Sequence, residues 1–96
     1  MASLHQNRSN TDSVQVALHG EIDMATAGDV VTAVEDALVP LVPITIDLSD
    51  VRFIDGRGVT ALVRARASAA ALGSAMELVN PQPTVLRILQ ITGLLP

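Results

Sequence analysis

The run Gly56-Arg57-Gly58-Val59-Thr60-Ala61 reads as G-x-G-x-x-A. That spacing lets a backbone turn close against a dinucleotide pyrophosphate where a strand gives way to a helix. Glu77 follows at about the separation, roughly 20 residues, of the carboxylate that takes a ribose hydroxyl in such sites. The context is wrong in three respects. The run follows the second helical crossover rather than the first strand, Glu77 falls inside a strand rather than at its end, and 96 residues are few for a cofactor site and a substrate site together. The plain reading is that Gly56 and Gly58 permit a tight turn.

Other reactive side chains fall short of a constellation. Asp47, Asp50 and Asp55 are hard oxygen donors of the kind that hold a divalent cation. Acidic turn residues are the simpler reading, and no metal site is expected. A receiver-type phosphorylation site would also need a lysine, and the sequence has none; the same lack excludes a Walker P-loop. His5 and His19 are too few for a metal site, and His19 reads as a strand-end residue with its own hydrogen-bond partner. Without cysteine there is no thiolate ligand, nucleophile or disulfide. The serines stand outside a nucleophile-elbow pattern. No set of residues carries catalysis, so the chain is expected not to be an enzyme and to need no cofactor.

What remains is a contact surface. Asp23 and Asp55 stand at helix starts on one end of the sheet, and either Asp23 or Thr26 suits the N-terminus of the first helix. Such a cap contributes roughly 0.5–2 kcal/mol. Arg57, Ala61, Arg64 and Ser68 share one helical face. A solvated face is the bland reading. The alternative is a surface whose guanidinium groups meet a partner's carboxylates. Arg57 lies at the positive end of a helix dipole, and Asp55 is the candidate group to offset it.

The elements that position these residues follow from hydrophobic period. Residues 1–12 form a polar arm or edge strand, with the domain spanning 13–96. Val14, Val16 and Leu18 alternate with Gln15, Ala17 and His19, a strand that Gly20 ends. Ala27, Val30, Val31, Val34 and Leu38 recur at helical spacing, and Pro40 stops the helix. Ile44, Ile46 and Leu48 form the next strand. A loop through Ser49, Asp50 and Arg52 leads to Phe53 and Ile54. The second helix points Val59, Leu62, Val63, Ala67 and Ala70 inward and stops at Gly73. A strand over 75–79 follows, then a helix opened by Pro81 or Pro83, carrying Val85, Leu86 and Leu89 and ended near Gly93. Strands separated by helical crossovers lie parallel, with right-handed connections.

Composition agrees. Hydrophobic residues make up 49%, almost all aliphatic, with Phe53 the sole aromatic, which suits a small layered α/β core. The net charge of -4 argues against nucleic acid as the direct partner. No apolar run is long enough to span a membrane, and a cytoplasmic location is expected.

Three segments in order resemble the STAS family of anti-sigma factor antagonists. Leu18-His19-Gly20-Glu21-Ile22-Asp23 is similar to the family's Gly-Glu-hydrophobic-Asp after its second strand. Ile46-Asp47-Leu48-Ser49-Asp50-Val51 is similar to its strand-to-loop segment. Phe53-Ile54-Asp55, followed by two residues and then Gly58, resembles its Asp-Ser-Ser-Gly loop. The resemblance runs from about Val14 to Leu94. It implies a single STAS-like domain, a mixed and mostly parallel sheet with helices packed on one face. It also implies a partner, an ATP-binding anti-sigma factor of the serine-kinase type, whose capture regulates sigma-factor-dependent transcription. Asp23, Thr26, Asp55, Gly56, Arg57, Gly58, Val59, Thr60, Ala61 and Arg64 are the expected partner-binding residues. Two alternatives stand beside this: a STAS scaffold or sensor module, and a small-nucleotide-binding regulatory domain.

The chain departs from the family at the loop that carries the switch. Gly56 and Arg57 replace the two serines, and Arg57 holds the phosphoacceptor position before Gly58. A phosphate would add about -1.5 to -2 charges there; arginine has no hydroxyl and brings a fixed positive charge instead. Insensitivity to the usual kinase switch is expected, unless the modification moves to Thr60 or Ser49. The family's further strand and C-terminal helix are not found before Pro96, consistent with a truncated or a short member.

Overall fold

The computed structural model describes residues 4–8, as backbone, and 13–96. The remainder of the N-terminal arm lies outside the described residues. Strand β1 (Leu4–Arg8) pairs antiparallel with β2 (Val14–Ile22). Helix α1 (Ala27–Ala37) leads to β3 (Ile44–Ile54), α2 (Gly56–Ala71) to β4 (Met76–Val79), and α3 (Pro83–Ile91) follows. The sheet order is β1-β2-β3-β4, with β2, β3 and β4 mutually parallel.

Sheet order and handedness together fix where the helices go. Each parallel strand is laid on the same side of its predecessor, so right-handed crossovers put both connecting helices on one face. The side chains record this. Val14, Val16 and Leu18 of β2 and Ile44, Ile46 and Leu48 of β3 are buried, while Gln15, Ala17, His19, Thr45 and Asp47 on the other face stay half-exposed. α1 packs on α2, and α3 lies against β3.

Several elements depart from what the sequence predicts. Gly20, at φ 81°, does not end its strand; β2 continues to Ile22. The segment after Leu48 is not a loop but the second half of β3. There the register against β2 slips twice: Ala17 pairs with Asp47 but His19 with Asp50, and Gly20 pairs with Val51 but Glu21 with Phe53. Each slip places one extra residue on β3, as a β-bulge does. Burial then repeats every third residue, at Leu48, Val51 and Ile54.

In α2, Val63, Ala67 and Ala70 are exposed rather than inward. The buried stripe is Gly58, Leu62, Ala65 and Ala69, joined by Val59 and Ala61. α1 ends at Ala37, and Leu38 is already extended. Of the two prolines, Pro83 opens α3, and Leu86 is only half-buried where Val85 and Leu89 are enclosed. Gly73 ends α2 as expected. In the left-handed conformation, at φ 70°, it donates to the Ala70 carbonyl while Ser74 donates to Ala69, the paired closure of a Schellman motif.

Candidate functional site

Strands β2 and β3 end level with each other, since Ile22 and Ile54 are register partners. Asp23 and Asp55 are the next residues, so the two acidic turns stand side by side at the C-terminal edge of the sheet. The Asp23 carboxylate accepts from the backbone N–H groups of Ala25 at 2.9 Å and Thr26 at 3.2 Å. The Thr26 hydroxyl accepts from Asp23 N–H at 3.0 Å and donates to the Glu21 carbonyl at 2.8 Å. Thr26 holds the N-cap position of α1, yet neither its hydroxyl nor the Asp23 carboxylate bonds an N–H within the helix. Both residues fold the turn before α1.

Asp55 does cap its helix: one carboxylate oxygen accepts from Gly58 N–H at 2.9 Å. Gly58 is confined by close packing. A Cβ there would overlap the Ile22 carbonyl oxygen and come within 2.7 Å of Ile54 Cγ1. The glycine pattern is thereby accounted for. The amide that would meet a pyrophosphate already serves a carboxylate, and Gly58 lets α2 sit against the ends of β2 and β3. Glu77, the supposed ribose ligand, pairs with Thr45 toward the opposite end of β3. We expect Asp55→Ala to lower stability by about 1 kcal/mol, read as a shift in the urea midpoint, because the Gly58 donor loses its acceptor.

Arg57 is not offset by Asp55, contrary to the sequence reading. Among the described residues, the one contact within 4.0 Å between a basic and an acidic side chain is His19 Nδ1 to Asp50 at 3.1 Å, on the other side of the sheet. The Arg57 and Arg64 side chains carry neither a hydrogen bond nor an ion pair among the described residues. Both are exposed, as are Gly56 and Thr60, whose hydroxyl donates to the Gly56 carbonyl at 3.0 Å. Asp23 and Asp55 are half-buried. Thr26, Gly58, Val59 and Ala61 lie beneath the surface, so their contribution to any contact is the shape they hold.

Between α1 and α2 is a cavity of about 130 Å³. One wall is Arg57, Thr60, Ala61 and Arg64. The other is Met24, Ala27, Gly28 and Val31, which the sequence reading did not assign to a site. Its signal was present in the spacing 24, 27, 28, 31, one face of a helix and the turn that leads into it. Ser68, on the same face of α2 as Arg57 and Arg64, donates to Glu35 of α1 at 2.6 Å.

The remaining carboxylates are dispersed. Asp47 accepts from Ser49 N–H at 2.9 Å, and this backbone hydrogen bond holds its carboxyl below the usual aspartate value. Asp50 pairs with His19, and Asp55 is occupied as a cap. Among the described residues no three His, Cys, Asp or Glu side chains gather as metal ligands, and no helix is long and apolar enough to cross a membrane.

The family model described as Mlab, STAS domain, matches residues 5–95. An anti-sigma factor antagonist from Mycobacterium paratuberculosis superposes with a TM-score of 0.82 at 28% identity, over 98% of this chain and 80% of that one. A putative anti-sigma factor antagonist from Thermotoga maritima gives 0.81 at 26%, over 95% and 79%. The antagonist SpoIIAA in its unphosphorylated form gives 0.72 at 24%, over 96% and 82%, a likeness of fold. No curated protein gives a significant sequence match.

Proposed function

Because this chain belongs to the STAS domain family, we propose that it is an anti-sigma factor antagonist, acting in the cytoplasm by protein contact through residues 13–96 and without catalysis of its own. The partner is an anti-sigma factor of the ATP-binding serine-kinase type, and its capture frees a sigma factor for transcription. The contact surface is the edge where Asp23 and Asp55 lie level, continued along Gly56, Arg57, Thr60 and Arg64. The observation that carries the reading is this pairing of turns: the strand register brings two acidic turns, remote in sequence, onto one exposed edge.

The same surface supports a change of regulation. Bacillus SpoIIAA has both an unphosphorylated and a phosphorylated form. Here Arg57 stands exposed at the position where the family accepts phosphate, and it has no group to accept one. The antagonist is therefore insensitive to the kinase activity of its partner.

The test is an affinity capture from the host's extract with ATP present, using the full chain as bait. Recovery of an anti-sigma factor is the expected result. Incubated with that protein and ATP, the wild type takes up no phosphate, while the double variant Gly56→Ser/Arg57→Ser does. Absence of any anti-sigma factor among the captured proteins would remove the proposed role. Stoichiometric phosphate on Thr60 or Ser49 of the wild type would show that the switch has moved rather than disappeared.

A further inference from the structure

The cavity between α1 and α2 has the size of a seat for one side chain. At about 130 Å³ it falls well below the roughly 300–1,000 Å³ of small-molecule sites. Its floor is apolar, with Val31 and Ala61 buried and Ala27 half-buried, and the exposed Met24 forms a flexible rim. Arg57 and Arg64 flank it, seven positions apart on one helix, which is about 10 Å along the axis. That separation lets each guanidinium meet an anionic group of its own. It matches two side chains placed two turns apart on a second helix.

Charge identifies what such a helix must carry. The chain as a whole has a net charge of -4, yet both arginines at this groove lack a partner among the described residues. A guanidinium presents a planar fork that a carboxylate matches with two parallel hydrogen bonds. An amphipathic helix laid in a groove reads as anchors at i, i+3 or i+4, and i+7. From this complementarity we infer that the α1–α2 groove receives a helix of the partner, with one aliphatic side chain in the cavity and an acidic residue one turn away on either side of it, facing Arg57 and Arg64. The inference rests on the antagonist reading for the partner's identity, but not for the chemistry of the groove.

Two peptides test the groove directly. One is a synthetic helical peptide presenting a leucine with glutamates placed to meet the two arginines; its twin carries glutamines instead. Each is titrated into the isotopically labelled full chain by NMR, with inorganic phosphate as a third probe. The glutamate peptide is expected to shift the amides of Gly28, Val31 and Ala61 and the side-chain Nε–H signals of Arg57 and Arg64. The glutamine twin should bind roughly tenfold more weakly or worse, and added salt should erase the difference. Equal affinity of the twins, binding of neither, or stronger shifts from phosphate alone would overturn the inference.

The captured anti-sigma factor gives an independent arm. Arg64→Glu and Arg57→Glu are expected to weaken its binding by roughly tenfold or more each. Undiminished capture by both variants would overturn the role of the groove while leaving the antagonist function intact. Selective binding of the glutamate peptide with no anti-sigma factor captured would uphold the groove and remove the function.

Discussion

Replacing Gly58 with valine is expected to lower stability by about 3 kcal/mol or more, a fall in Tm of roughly 12–24 °C for a domain of this size. The cause is geometric. Any Cβ at this position meets the Ile22 carbonyl oxygen, which also accepts the Asp55 N–H at 3.2 Å and so forms part of the join between β2 and β3. Backbone cannot swing away as a side chain can. α2 must lift from the sheet, taking with it the Asp55 cap and the arginine face. Gly56→Ala is the matched control: a Cβ there meets nothing within 4 Å, so its Tm should hold or rise slightly. Thermal melts of both variants decide the matter. A Gly58→Val protein that melts with the wild type would mean that α2 does not start in this close contact.

The second large effect is expected from Leu62→Ala. Leu62 is fully enclosed on the sheet-facing side of α2, and truncating such a leucine costs about 2–5 kcal/mol through lost burial and the cavity left behind. Leu62 is not part of the groove wall. Below its melting temperature, the variant should therefore bind the partner with unchanged affinity per folded molecule. The arginine substitutions should do the reverse, leaving the denaturation midpoint in place at Arg64, raising it slightly at Arg57 beside the positive end of α2, and removing affinity in both. Urea unfolding and a binding isotherm on the same preparations separate the two. A Leu62→Ala protein as stable as the wild type would show that this residue is not part of the packed core.

Much of the architecture can be read from hydrophobic period, and the failures have physical causes. β2 was legible because Val14, Val16 and Leu18 alternate without interruption. The far half of β3 was not, because its bulges change the spacing of inward residues from two to three, and Ser49-Asp50 and Arg52-Phe53 then look like a turn. α2 was placed correctly, but its inner face was rotated toward Val63. In a helix this rich in alanine, the side that packs closely is chosen by smallness, at Gly58, Ala65 and Ala69, more than by hydrophobic contrast.

The candidate site divides in the same way. Asp55 and Gly58 announce a helix start by residue type alone. The α1 wall did not announce itself, because Ala27 and Val31 at helical spacing look like ordinary core until α2 is set beside them. The expected Asp55–Arg57 pair does not form: one Asp55 oxygen caps the Gly58 amide, and the exposed Arg57 side chain has no partner among the described residues.

Gly56 and Gly58, two positions apart, have opposite freedoms. The first faces open space and the second is locked against the sheet. Arg57 between them is exposed, so the packing of the fold places no demand on the residue type at either position. A lineage can thus acquire or discard hydroxyls there without disturbing the architecture beneath. On the proposed antagonist reading, response to a kinase is then separable from the capacity to fold, while Gly58 is held by geometry.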